Sequence, residues 1–368
     1  MNLSISKNIC LDNIIFSLQR SGGISVYWSE LWSRLLRDNI SVIAIEAGHI
    51  DKNIFRAAVK IPTQQIMRDK RPIKISRFLY APVSYKRTSL LHSSYYRKPS
   101  NFLVPTVQTC YDFTDERFRK ESSQWIHSFQ KRRAVSAATG VICISESTRR
   151  DLLYYCPKVL HENTCVIHLG YSDAFGPLPE GVGSQLVAPY IAFTSPFSVF
   201  VGSRIDYKNF NVAVDAISLC PDHRLVVVGG GPLRKEEYEY LERTIRDRWV
   251  HIDKAPSNLL NALYNQAHAL IYPSSYEGFG IPVIEAMAAG CPVIALSASS
   301  ILEVAGDAGL LIDHADSAAV ANQLQRLEDK SIRNDALKRG FENAKRFSWE
   351  RCYQETLSFY SRVLDQIS

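Results

Sequence analysis

The stretch from Tyr272 to Gly290 concentrates residue types that can do chemistry: two carboxylates, Glu277 and Glu285, with Gly278, Gly280 and Gly290 around them. Pro282 suits the first turn of a helix, where its missing N–H costs nothing, and Gly290 suits the position that ends one. Between them the spacing predicts a short, apolar and buried helix over Val283 to Ala289. Gly278, Phe279 and Gly280 precede it as a loop whose backbone can approach a ligand closely. A glycine-bearing loop entering a helix N-terminus favours an anion, because unpaired N–H groups and the helix dipole act together. Two acids flanking a phosphate loop need another task, and hydrogen-bonding sugar hydroxyls fits both. The plainer alternative makes Glu277 a loop charge and Glu285 a solvated helix residue. Val283, Ile284, Ala286 and Met287 around Glu285 argue instead for burial, where a charge needs partners.

A second candidate is Phe200 to Phe210, which reads as strand, turn and helix start. It places Gly202, Arg204 and Lys208 at the carboxyl end of a strand, where ligands bind in open α/β sheets. Two fixed cations there would stabilise a departing diphosphate, although both could be ordinary surface charges. Gly22 and Gly23 stand directly before an amphipathic stretch and form a weaker signal, since turns use glycine freely. Val228-Gly229-Gly230-Gly231 follows a strand but lacks the spaced dinucleotide fingerprint.

The first segment resembles the Glu-x7-Glu signature of retaining glycosyltransferases of family 4, and the likeness runs on through Cys291-Pro-Val-Ile and Glu303 to Asp313. The resemblance implies the α/β GT-B fold, two facing Rossmann-like domains with a cleft between them. It implies a UDP- or GDP-linked sugar as donor substrate and no separate cofactor. Glu277 would contact the transferred sugar and Glu285 the ribose. Gly202, Arg204 and Lys208 would clamp the diphosphate, with Gly278, Phe279 and Gly280 beside it. Gly22 and Gly23 would lie over the donor phosphates, and the base would sit near His251 to Lys254.

His92, Tyr95 and Arg97, with Thr106 to Asp112, resemble acceptor-side loops of bacterial O-antigen and capsule transferases, mannosyltransferases among them. Many relatives show Val-His-Asp where this chain has Cys110-Tyr111-Asp112. Tyr111 then replaces an imidazole, and a phenol with a pKa of about 10 donates a hydrogen bond but is no base near neutrality. His92 is the other imidazole nearby, with a structural role equally open; His127 and His168 are taken as structural. There is no Asp-x-Asp and no cluster with metal-ligand spacing, so no metal site is expected. Charge stabilisation would fall to Arg204, Lys208 and helix N-termini, in a metal-independent reaction.

Composition bounds the rest. At 368 residues, 46% hydrophobic and 22% charged, the chain suits two globular domains. No apolar run reaches membrane-spanning length, the start lacks a signal-peptide layout, and eight cysteines are scattered singly. These features suggest reduced thiols and a cytoplasmic location. Residues 1–170 hold 25 Lys and Arg against 13 Asp and Glu, whereas the remainder holds 18 against 24. A basic front half suggests an anionic partner there. Candidate clusters are Arg68 to Arg71, Lys86-Arg87 and Lys131-Arg132-Arg133. An anionic membrane surface or a lipid diphosphate fits better than nucleic acid, for which no binding module is present. The resemblance to O-antigen and capsule transferases implies the cytoplasmic face of an inner membrane and a lipid-linked glycan of lipopolysaccharide type.

Alternating short apolar runs and helix-like stretches predict parallel sheets covered by helices. The boundaries read as an acceptor-side domain over 1–175, a Pro- and Gly-rich linker over 176–196, a donor domain over 197–348, and a last helix over 349–368 that by the resemblance crosses back to the first domain. The expected function is transfer of a hexose from a nucleotide sugar to a glycan. The rivals are a sugar-nucleotide epimerase on the same fold and, outside enzymes, a nucleic-acid-binding protein.

Overall fold

The computed structural model describes residues 8–84, 86–118, 122–192 and 194–366. Two compact units result, Met1–Leu169 together with Trp349–Ser368, and Gly170–Ser348.

The first unit is built on seven strands: β1 Ile9–Asp12, β2 Val42–Ala47, β3 Ile66–Asp69, β4 Leu90–Ser93, β5 Thr106–Cys110, β6 Gly140–Cys143 and β7 Thr164–Val166. They lie in the order β3-β2-β1-β4-β5-β6-β7, with every pairing parallel. Parallel neighbours need crossover connections, and buried strands read as unbroken apolar runs, which is why Val-Ile-Ala-Ile and Gly-Val-Ile-Cys carry no alternation. The helix Gly23–Arg37 buries Trp28 and Trp32, whose indole N–H groups both donate to Asn13 Oδ1 at 2.7 Å. The helix Trp349–Asp365 packs into this unit. Gly140 leaves room for it, since a Cβ there would stand 2.7 Å from Phe359 and Val363.

The second unit has six strands: β8 Phe197–Val201, β9 Arg224–Val228, β10 Trp249–Ile252, β11 Ala269–Tyr272, β12 Val293–Leu296 and β13 Leu310–Ile312. Their order is β10-β9-β8-β11-β12-β13, again all parallel. The order reverses between β8 and β11, the place where doubly wound sheets leave a crevice at the carboxyl ends of their strands. Phe200, Val214, Ile217, Leu225, Ile271 and Ile294 share one buried core beneath it.

The segment expected as a linker is packed chain of the second unit. Gly176 N–H donates to Asn261 Oδ1 at 3.1 Å, Leu178 N–H donates to Asn265 Oδ1 at 2.8 Å, and Val182–Val187 is a helix. Pro and Gly shaped turns there, while amide side chains of the helix Ser257–Gln266 satisfied the backbone. All eight cysteines are free and seven are buried. No helix among the described residues is long and apolar enough to cross a membrane.

Candidate functional site

Lys208 follows β8 and Glu277 follows β11, so the reversal in strand order brings them together. Lys208 Nζ stands 2.5 Å from Glu277 Oε1, and each side chain is 13% exposed. The two loops are fastened as well as paired. Asn209, in the left-handed region at φ 51°, donates through Nδ2 to Pro273 O and Ser275 Oγ, both at 2.7 Å. Ser275 N–H donates to Tyr207 O at 2.8 Å. Ser299 and Ser300 hold the other side: Glu277 N–H donates to Ser299 Oγ at 2.8 Å, and Ser300 Oγ–H donates to Glu277 O and Phe279 O. Burial and the neighbouring Glu277 carboxylate push the Tyr272 phenol well above its ordinary pKa, and the Lys208 ammonium lies 5.5 Å from the Tyr272 ring centre.

The helix Ile281–Ala288 starts directly behind this pair, with Gly280 as its N-cap and Pro282 in its first turn. Gly280 is required twice over: its φ is 107°, and a Cβ would meet Ile301 Cδ1 at 2.6 Å. Gly290 ends the helix at φ 78°, close against Phe341. Phe279 is buried against Phe347, whereas Gly278 is half-exposed. Glu285 is half-buried one turn inside, with no hydrogen-bond partner for its carboxyl among the described residues, and burial pushes its pKa up to about 7. The buried Tyr264 hydroxyl is likewise unpartnered, and its pKa is raised by burial and then by Glu285. A polar pair left unsatisfied costs stability unless a ligand supplies partners.

Arg204 takes a different place from the one expected. Its side chain is 2% exposed and pairs with Glu237 at 2.9 Å. The guanidinium also donates to Gly229 O at 2.7 Å and to Gly231 O and Pro232 O at 3.0 Å. These bonds brace the Gly229–Gly231 turn, whose three glycines all have φ near 80° and whose Gly230 has no space for a Cβ beside Arg204. The guanidinium expected at the diphosphate thus supports this turn. Glu237, missed in the sequence, had a signal: its carboxylate accepts from Arg234 N–H in a capping box at the start of the helix Lys235–Ile245. Gly202, at φ 122° and half-exposed, lines the same strand end. His251 Nε2 lies 3.3 Å from Gly229 O.

In the first unit, Gly22 and Gly23 form the N-terminus of the helix Gly23–Arg37, which no side chain caps. Three of the acceptor-side candidates are core residues. His92 is on β4, bonded to Tyr360 Oη at 2.5 Å and Thr109 Oγ1 at 2.8 Å, and burial pushes its pKa down to about 3. Arg97 is fully buried between Asp12, at 3.2 Å, and Asp69, at 2.8 Å. Tyr111 is buried edge-on to Tyr27. A linear motif cannot show that a polar side chain closes a buried network, as His92 and Arg97 do here, whereas the buried Tyr111 hydroxyl has no hydrogen-bond partner. Tyr95, stacked on His127 at 5.1 Å, and Asp112, which accepts from Thr114 N–H, remain half-exposed. The basic clusters are also partly spent: Lys131 is buried against Glu116 at 2.8 Å, Arg71 is held by Asp69, and Arg68 lies 3.5 Å from Glu46. Among the described residues no group of three or more His, Cys, Asp or Glu side chains could hold a metal.

Residues 190–346 match the family model of glycosyl transferases group 1. The chain is 37% identical over 237 residues to O-antigen chain mannosyltransferase B of Escherichia coli, a match covering 62% of this chain and 61% of the relative's length. Among solved structures, sucrose-phosphate synthase of Thermosynechococcus elongatus superposes with a TM-score of 0.74 at 20% identity, covering 98% of this chain and 100% of that one. HepE of Anabaena, solved in complex with UDP and glucose, gives 0.74 at 17% identity, covering 97% and 100%. These likenesses show the GT-B fold.

Proposed function

We propose that the chain, whose residues 190–346 match the model of the glycosyl transferases group 1, is a retaining hexosyltransferase that takes a nucleotide-diphosphate sugar in its second unit. The observation that carries the reading is the Lys208–Glu277 pair at the crevice between β8 and β11, in front of the N-terminus of Ile281–Ala288. In this reading the donor diphosphate draws Lys208 away from Glu277. The freed carboxylate then accepts hydrogen bonds from hydroxyls of the transferred sugar. The ammonium neutralises charge as the C–O bond to the diphosphate breaks, the step at which a fixed cation contributes most. Glu285 and the Tyr264 hydroxyl receive the ribose, and the Arg204-braced turn borders the nucleotide.

The reaction has the acceptor hydroxyl pass its proton to the leaving diphosphate while it bonds the anomeric carbon on the same face, so configuration is retained without a covalent enzyme intermediate. Likeness to an O-antigen mannosyltransferase supports a glycan acceptor of the surface-polysaccharide type, borne on lipid, with mannose among the donor sugars. In this reading the enzyme acts at the cytoplasmic face of a membrane. HepE, bound to UDP and glucose, supports a nucleotide sugar as donor. Lys208 and the helix N-terminus would supply the charge stabilisation, and turnover in excess EDTA is expected. Incubation with UDP- and GDP-sugars, with and without a lipid-linked glycan, tests the reading. Product with retained anomeric configuration is expected only when acceptor is present; an isomerised donor without acceptor would make the chain an epimerase instead.

A further inference from the structure

The helix Ser122–Val135 meets the core with its last turn, where Ala134 and Val135 are buried, but turns an apolar face outward before it. Its Lys131 points inward, 2% exposed, to Glu116 Oε2 at 2.8 Å and to Asp112 O at 2.9 Å. His127 points inward too, 2.6 Å from Asp115. Trp125, Ile126 and Phe129 point outward, exposed by 76%, 57% and 67%. A surface helix normally places its apolar stripe inward and its charges outward. Beside it, Phe78 and Tyr80 are exposed by 52% and 45%, next to the carboxyl end of β3.

The two segments form one surface. Gln130 Nε2 donates to Arg77 O at 2.5 Å, and Arg133 Nη2 reaches Tyr80 Oη at 3.4 Å. The Arg77 guanidinium covers the Phe78 ring at 4.9 Å, and the Lys98 ammonium covers the Tyr80 ring at 5.4 Å. Between them lies a cavity of about 210 Å³ with Phe78, Leu79, Ile126 and Phe129 in its wall and Lys98 and Arg133 at its rim. Arg133 is exposed at it, while the nearby acids Asp115 and Glu116 are turned inward. An exposed apolar patch of this extent marks an interaction surface. Aromatic side chains ringed by cations match one partner in particular, the interface of an anionic bilayer, where Trp sits at headgroup depth and basic residues meet lipid phosphates.

We propose that the face made by Trp125, Ile126, Phe129, Phe78 and Tyr80 docks on anionic membrane, with these side chains entering the lipid interface. The proposal adds to the reading of a lipid-borne acceptor, and its test does not depend on the donor site. It also differs from attraction through basic clusters alone, because apolar insertion survives salt that screens surface charge.

The full chain is sedimented with vesicles of phosphatidylcholine, and of phosphatidylcholine with phosphatidylglycerol, at low and high salt. Binding to the anionic vesicles is expected with a blue shift of tryptophan emission, because Trp28, Trp32 and Trp349 are buried and Trp125 is the most exposed indole. Trp125→Ala with Phe129→Ala should weaken binding by about ten-fold or more at both salt levels. Trp125→Phe should bind nearly as the wild type does but without the blue shift. Equal binding by the double variant, or no binding of the wild type to anionic vesicles at low salt, overturns the proposal. A wild-type dimer that the double variant converts to monomer in light scattering also overturns it, and assigns the face to a second copy of the chain. Stabilisation by a nucleotide should be unchanged in the double variant; its loss in both proteins would count against the donor site and leave the docking face standing.

Discussion

Lys208 and Glu277 are 69 positions apart in the chain, yet Nζ and Oε1 are 2.5 Å apart at the crevice of the second unit. Each thereby neutralises the other in a half-buried setting, where an unpaired charge would be costly. A diphosphate can replace the carboxylate as partner of the ammonium without leaving either charge bare.

Lys208→Ala should therefore lower kcat by about 100- to 1,000-fold, as loss of one fixed charge-stabilising group does, with circular dichroism unchanged. Glu277→Gln keeps the shape but loses an acceptor for hydroxyls, and its loss should appear with the intact sugar donor and not in binding of the free nucleotide. Steady-state kinetics alongside calorimetry of the nucleoside diphosphate separates the two.

Glu285 holds its proton more tightly in the folded chain than in the unfolded one, because burial lifts its pKa from 4.5 to about 7. Between those values the folded state binds more protons, so stability falls as pH rises through the window and stays lower above it. The shift corresponds to at most roughly 3 kcal/mol. Urea midpoints measured across that window should decline in the wild type and flatten in Glu285→Gln.

Much of the scaffold around these residues was legible in the sequence, for particular reasons. Pro282 and Gly290 mark helix ends by local backbone chemistry, and the helix spans Ile281–Ala288, close to the expected range. Alternating apolar runs disclosed parallel sheets because strands buried on both faces need them. The buried settings of His92, Arg97 and Tyr111 were hidden because their neighbours, Tyr360, Asp12 with Asp69, and Tyr27, are distant in sequence. The bracing contacts of Arg204 were hidden for the same reason, its partner Glu237 standing 33 residues on. The outward aromatic face of Ser122–Val135 was hidden because helical spacing alone does not say which side meets the core.

Bracing by Arg204 is separable from direct contact. If its work is to hold the Gly229–Gly231 turn, Glu237→Gln should reproduce much of the effect of Arg204→Lys, raising KM for the donor more than it lowers kcat. A large fall in kcat for Arg204→Lys with Glu237→Gln unaffected would place the guanidinium on the reacting phosphate.

Arg97→Ala leaves Asp12 and Asp69 buried without their shared cation. Removing one partner of such a group costs about 3–5 kcal/mol. The urea midpoint should fall accordingly, while kcat of the protein that remains folded changes little. A selective loss of kcat with stability intact would return Arg97 to the acceptor site.

The donor site itself is tested most directly by melting the wild type, Lys208→Ala and Glu285→Ala with UDP and with GDP. A ligand that binds only the folded state raises apparent stability, by about 2.7 kcal/mol at a hundred-fold excess over Kd. One of the two nucleotides should raise the wild-type melting temperature, and both substitutions should abolish or sharply reduce that rise. No rise with either nucleotide, or an equal rise in both variants, would contradict a nucleotide-sugar site at Lys208, Glu277 and Glu285.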